Sequence, residues 1–153
     1  MPELKARLQA DLNAAMKARD ELTTATLRMA LTAITTEEVA GKSARQLSDE
    51  DVVKVLAREA KKRREAAEAF DTAGRKELAE RERAEKGVLD GYLPAQLDDA
   101  ELVELVRNAI AESGSSAPNQ MGAVMKIVQP KVAGRADGKR VSDEVRRQLA
   151  QPG

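Results

Sequence analysis

Apolar residues recur along this chain at intervals of three and four, and no stretch sustains the two-residue alternation of a strand. Leu4, Leu8, Leu12 and Met16 form one stripe and predict a first helix over residues 3 to 18. After the polar break Arg19-Asp20-Glu21, the residues Leu22, Leu27, Leu31 and Ile34 mark a second helix that fades before Gly41. The short connection predicts an antiparallel pair. Ser48 opens a third helix: its hydroxyl can accept the amide of Asp51, while Asp49, Glu50 and Asp51 put negative charge at the positive helix end. Val52, Val53, Leu56, Ala60, Ala67 and Phe70 share one face of that helix, and Lys54, Arg58 and Lys61 point the other way. Gly74 should end it. A charge-laden fourth helix is predicted from about Arg75 to Tyr92, anchored by Leu78, Val88, Leu89 and Tyr92.

Leu93-Pro94-Ala95-Gln96-Leu97 is the expected boundary, because Pro94 has no amide to continue a helix and constrains the residue before it. Asp98 with Glu101 three residues on reads as a capping box for a helix through Leu102, Val103, Val106, Ala109 and Ile110, ended by Gly114. Met121, Val124, Met125 and Val128 predict a short helix stopped by Pro130. Gly134-Arg135-Ala136-Asp137-Gly138-Lys139 has turn chemistry, and Ser142 is the expected cap of a last helix carrying Val145 and Leu149. The pattern predicts an all-α protein in two helical domains, residues 1–93 and 94–153.

Composition narrows what such a protein could do. Histidine and cysteine are both absent from the 153 residues, which removes imidazole bases, thiol nucleophiles, structural zinc and disulfides. The lack of cysteine agrees with a cytoplasmic protein. No apolar run approaches the length that spans a membrane, and Met1-Pro2-Glu3-Leu4-Lys5 lacks the apolar stretch of a secretory signal, so neither a span nor a signal is expected. Phe70 and Tyr92 are the only aromatic residues, so splayed bases would find no stacking platform.

Lys+Arg and Asp+Glu balance at 26 each, yet the cations are clustered. Residues 54 to 64 carry Lys54, Arg58, Lys61, Lys62, Arg63 and Arg64 against Glu59 alone. That face can track phosphates or simply solvate a long helix. Arg63 differs from its neighbours: its helical angle sets it with Leu56 and Phe70, which predicts burial beside a carboxylate at a helix contact. From Lys126 onward, seven basic residues oppose Asp137, Asp143 and Glu144, an excess of four positive charges. Glycines in the 134–138 turn would let backbone amides and Lys139 approach a phosphate, or the turn is an ordinary connection. Asp137 would fix the turn by bonding its own backbone and so aim Arg135 and Lys139 outward.

Catalytic motifs are missing. Ser113-Gly114-Ser115-Ser116 resembles a serine nucleophile loop, but Gly and Ser are expected just past a helix end. The 134–138 turn follows no strand and does not read GxxxxGK[ST], so it is not a P-loop. Glu77, Glu80, Glu82 and Glu85 alternate with bases as on a solvated helix and suggest neither metal cage nor acid–base pair. No cofactor and no metal are expected.

Several strings together resemble the YqeY family: Glu59-Ala60-Lys61-Lys62-Arg63-Arg64-Glu65, Phe70-Asp71-Thr72-Ala73-Gly74-Arg75, Tyr92-Leu93-Pro94-Ala95-Gln96-Leu97, Met121-Gly122-Ala123-Val124-Met125 and the Gly134-to-Lys139 turn. The order is right and the match spans nearly the whole chain. The resemblance implies a helical domain followed by a small three-helix domain like the C-terminal tail of GatB, the tRNA-handling subunit of the glutamine-dependent aspartyl/glutamyl-tRNA amidotransferase. It further implies a non-catalytic module that binds tRNA, or a tRNA-aminoacylation partner such as an aminoacyl-tRNA synthetase or amidotransferase. The alternatives are an amidotransferase-like protein with carbon–nitrogen ligase activity using glutamine as amido-N donor, and a protein–protein adaptor. Lys131, Arg135, Lys139 and Arg140 are the first candidates for RNA contact, with Lys54, Arg58 and Lys61 second. Recognition would read the shape and backbone of folded tRNA.

Overall fold

The computed structural model describes residues 3–151. Among them every regular element is helical: α1 (Glu3–Lys17), α2 (Glu21–Glu38), α3 (Asp49–Thr72), α4 (Lys76–Asp90), α5 (Asp99–Ser113), α6 (Met121–Val132) and α7 (Gly138–Ala150). A 3-10 turn at Pro118–Gln120 leads into α6. The all-α expectation holds. The chain divides into two compact units, Met1–Leu93 and Pro94–Gly153, each with its own apolar core.

The helix starts follow from local chemistry. Asp20, Ser48 and Asp98 accept the amides of Thr23, Asp51 and Glu101, and the Glu101 carboxylate returns to the Asp98 amide to complete the capping box. Two of these caps share a second device. Leu47, just before Ser48, enters the same core as Val52, and Leu97, just before Asp98, enters the same core as Leu102. Those positions, N′ and the fourth of the helix, are a hydrophobic staple that sets the angle at which the chain enters α3 and α5. At the other end of α5, Gly114 takes φ 70°, a left-handed conformation that glycine adopts without a Cβ clash.

In the first unit, Leu8 of α1, Leu27, Ala30 and Ile34 of α2, Leu56 of α3 and Leu89 of α4 meet in one core. The α3 stripe is displaced from its expected position: Val55 is buried while Val53 and Phe70 are only partly so. The anchors of α4 differ too. Ala79 is fully buried and Leu78 is 39% exposed, because the end of the α3–α4 hairpin nearest its turn is closed by the small residues Ala67 and Ala79.

In the second unit, Val106 and Ala109 of α5, Val124 and Val128 of α6, and Val141, Val145 and Leu149 of α7 form the core. Two boundaries here correct the sequence reading. Pro130 does not stop α6, which continues to Val132. A proline near a helix end removes a single backbone bond, and burial of Val132 in the core holds the last turn in place. Ser142 does not cap α7. The cap is Asp137, whose carboxylate accepts the Lys139 amide, and α7 starts four residues earlier than Ser142. Ser142 lies inside the helix and donates its hydroxyl to the Gly138 carbonyl.

Candidate nucleic-acid interface

The basic stretch of the second unit is arranged around the α6–α7 turn and the segment 94–98. Leu97 donates its amide to the Arg135 carbonyl at 2.9 Å, and Arg135 returns its Nε to the Ala95 carbonyl at 3.0 Å. Gln96 donates to the Gly134 carbonyl at 2.7 Å. From the first turn of α7, Arg140 donates Nη1 to the Leu97 carbonyl at 2.8 Å and Nη2 to Asp99 at 2.7 Å. Both arginines therefore staple the 94–99 segment to the turn. Arg135 is partly buried rather than aimed outward, because the nearby backbone carbonyls capture it.

The lysines of the same set behave differently. Lys139 is 82% exposed, with the Asp143 carboxylate 3.6 Å away, and Lys131 is half exposed, 3.5 Å from Glu112. Such exposed pairs contribute little and leave the ammonium groups open to exchange partners. Asp137 already occupies the positive end of α7, where a phosphate would otherwise be received, so the turn's contribution lies in its side-chain cations.

A groove of about 420 Å³ runs between α5 and α7 beside this turn. Leu102 and Val103 line it together with Asp99, Asp143, Glu144 and Arg147, a mixed set with no excess of cations. The Arg147 guanidinium, then the Gln148 amide, hold the Glu144 carboxyl below its usual range despite partial burial. Gln148 also donates to the Val103 carbonyl at 2.9 Å, joining α7 to α5.

On α3, Lys54 and Arg58 are exposed and Lys61 is partly buried. Arg58 reaches Glu37 of α2 at 3.2 Å, and Lys62 pairs with Glu59 at 3.0 Å. Arg63 meets its expectation: it is nearly buried and lies between Glu59 of its own helix and Glu85 of α4. The Ser113 hydroxyl donates to the Ile110 carbonyl and accepts the Ser115 amide, a helix-terminating role. Among the described residues no cluster of acids is grouped to hold a metal ion, and no helix is long and apolar enough to cross a membrane.

Sequence reasoning misses a second groove, of about 600 Å³, between α2 and α3, floored by Met29, Ala33 and Val55. Its one signal in the sequence is the run from Leu22 to Thr36, in which Arg28 is the only charged residue.

Two known proteins resemble the chain, one over most of its length and one over about three fifths of it. It is 32% identical over 145 residues to "Altered inheritance of mitochondria protein 41, mitochondrial" of Pyrenophora tritici-repentis, covering 91% of this chain and 77% of that protein. An uncharacterized protein of Schizosaccharomyces pombe is 37% identical over 95 residues, 61% of this chain and 75% of its own. The profile of the Yqey-like proteins matches residues 5–149, both units and the stapled turn between α6 and α7 included, and the chain is a member of the Yqey-like protein family.

Proposed function

We propose that the chain is a non-catalytic module that binds tRNA, or the tRNA-aminoacylation machinery, with the 94–153 unit acting as a GatB-tail-like domain. The observation that carries this reading is the state of Arg135. Its guanidinium is positioned by a neutral carbonyl, that of Ala95, which fixes its positive charge in place. Lys131 and Lys139 flank it in sequence with exposed ammonium groups, and Arg140 completes the set. Cations carried on and around a hydrogen-bonded turn suit a phosphate backbone, which can displace the exposed carboxylate partners of Lys131 and Lys139 and whose contacts orient a nucleic acid without reading its bases.

Folded tRNA is the proposed partner, read by shape, with an aminoacyl-tRNA synthetase or an amidotransferase as the accompanying protein. Lys54, Arg58 and Lys61 on α3 offer a second contact. No cofactor is required for such a role, and a cytoplasmic setting belongs to the same reading.

The test is tRNA affinity measured across a series of salt concentrations for the wild type and for a Lys131→Ala, Lys139→Ala variant. Each lost phosphate contact should flatten the log–log slope by somewhat under one unit, about 0.7–0.9. An unchanged slope in the folded variant moves the contact to α3. Absence of tRNA binding by the wild type at low salt overturns the reading. Amidation of misacylated tRNA by the pure protein, given glutamine and ATP, would replace it with the ligase alternative.

A further inference from the structure

In a chain that is 34% charged, the middle of α2 is sparsely charged. Between Leu22 and Thr36 only Arg28 is charged, although one side of the helix faces solvent. The inner side, Leu27, Ala30 and Ile34, explains the apolar residues of the core. It does not explain the outer side, where Met29, Thr32, Thr35 and Thr36 are exposed and uncharged. A solvated helix face in a protein of this composition would be expected to carry Lys and Glu pairs, as α4 does.

The outer side of α2 borders the groove against α3. The floor is apolar, and the rim holds Arg28, Arg58 and Lys62 against Glu37 and Glu59, while the nearly buried Arg63 donates to the Met29 sulfur at 3.1 Å. The two acids are already engaged, Glu37 by Arg58 and Glu59 by Lys62 and Arg63. Arg28 has only the Met16 sulfur at 3.8 Å and no carboxylate among the described residues. The groove thus combines an apolar floor, a hydroxyl-bearing wall and a positive balance at its edge.

We infer that this α2–α3 groove is a docking site for an acidic amphipathic helix of a partner protein. The apolar floor of Met29, Ala33 and Val55 takes the partner's Leu- or Met-type side chains, and Arg28, which has no carboxylate among the described residues, receives its acidic flank. A helix is the form of peptide that fits. The groove walls are helices whose backbone groups are bonded internally, so an extended segment would find no strand edge to pair with, whereas a helix brings its own hydrogen bonds satisfied. Nucleic acid fits less well, since thioether and methyl groups offer a phosphate nothing and no aromatic side chain lines the groove. This inference does not rest on the tRNA reading: its key cation, Arg28, is outside the residues proposed for RNA contact, and Arg58 is the one residue that the two readings share.

The test uses two synthetic helical peptides of identical apolar face, one with glutamates and one with lysines on the flanks. Each is titrated into the full-length, isotope-labelled protein while backbone amide shifts are followed. Binding of the glutamate peptide, with shifts centred on Arg28 to Thr36 and on Val55 to Lys62, is the expected result. Arg28→Glu should weaken that peptide at least tenfold and improve binding of the lysine peptide. Thr32→Trp, which fills the groove from an exposed position, should weaken both. Thermal unfolding of each variant identifies any loss that comes from misfolding. Equal affinity for the two peptides, no binding of either, or shifts on other helices overturns the inference. Transfer RNA producing the α2–α3 shifts in place of the peptide overturns it in favour of nucleic acid.

Discussion

Arg63 of α3 faces Glu85 of α4 with its Nε 3.5 Å from the carboxylate oxygen, and each side chain is only 11% exposed. Glu59 approaches the same guanidinium at 3.1 Å, while Arg81 approaches Glu85 at 3.0 Å and reaches on to Glu21 of α2 at 2.8 Å. Alternating charges therefore tie three helices of the first unit together. The Arg63 Nε is buried and makes no hydrogen bond, so the ion pair with Glu85 is its electrostatic compensation.

Removing Arg63 leaves two largely buried carboxylates short of a cation. Arg63→Ala should destabilise the protein by about 2–4 kcal/mol, below the upper end for a broken buried pair because Arg81 and Lys62 remain beside the orphaned acids. Lys54→Ala, at an exposed position of the same helix, should cost under about 0.5 kcal/mol. Joint replacement by Arg63→Met and Glu85→Met should recover part of the loss, since one of the two orphaned carboxylates disappears and Lys62 stays beside the other, Glu59. Urea denaturation of the three variants checks this; equal, small effects for Arg63→Ala and Lys54→Ala would show that the network carries no stability.

The position of Arg63 could be read from the sequence because one number, the helical angle, puts a cation among apolar residues. Caps at Ser48 and Asp98 were equally legible, as they depend on residues within one turn. The errors arise where distant packing overrides a local preference. Pro130 is a helix breaker by itself, but Val132 is held in the core, and the buried residue keeps the helix going past the proline. Ser142 is a good cap in isolation, yet Asp137 precedes it and, with Arg135 tied to Ala95, starts the helix first. Leu47 and Leu97 look like loop residues until the staple positions before each cap are counted. The α2–α3 groove had a signal only in what was missing, the charges of residues 22–36.

Tyr92 donates its hydroxyl to Asp11 of α1 at 2.5 Å, and Arg7 lies 4.6 Å from its ring centroid. Burial, then the hydrogen bond to the Asp11 carboxylate and its negative charge, push the phenol well above its ordinary value, against the opposing effect of Arg7. The folded state thus holds this proton more tightly than the unfolded state. Its contribution is complete below the ordinary phenol range, about pH 10, and is lost as pH rises towards the folded value. Tyr92 is the sole tyrosine, so tyrosinate absorbance reports it directly. The native protein should show no ionisation near pH 10 while the denatured chain ionises there. Tyr92→Phe should lose the alkaline fall in stability attributable to this group. Native ionisation at the ordinary value would contradict the Asp11 contact.

Arg140 and Lys139 are neighbours with opposite expected roles. Arg140 supports the Leu97 carbonyl, a partly buried acceptor next to the staple, whereas Lys139 extends into solvent. Arg140→Ala should therefore cost about 1–2 kcal/mol by leaving that carbonyl without its donor. Lys139→Ala should leave stability within about 0.5 kcal/mol. Hydrogen exchange of the Leu97 amide offers a local readout, because its bond to the Arg135 carbonyl belongs to the same stapled turn. Faster exchange there in Arg140→Ala, with α3 amides unchanged, is the expected pattern; uniform acceleration would show that Arg140 has no specific hold on the segment.

Pro130 sits two residues before the end of α6, where it has no amide to offer the Lys126 carbonyl one turn earlier. Both residues are exposed, so that carbonyl can turn to water, which keeps the penalty modest. Pro130→Ala restores the missing donor and removes the ring that crowds the preceding turn. Against this, the unfolded chain regains the freedom that proline denied it, worth about 0.4–1 kcal/mol. The interior penalty of proline relative to alanine, about 3 kcal/mol, is reduced in the final turn but should still exceed that entropy. The net expectation is stabilisation of the second unit by about 1 kcal/mol, with a straighter last turn carrying Lys131 and Val132. Chemical denaturation followed by amide signals of α6 and α7 would measure it. A loss of stability instead would mean that the proline helps α6 end where the Gly134 turn must begin, and that its rigidity outweighs the hydrogen bond it forgoes.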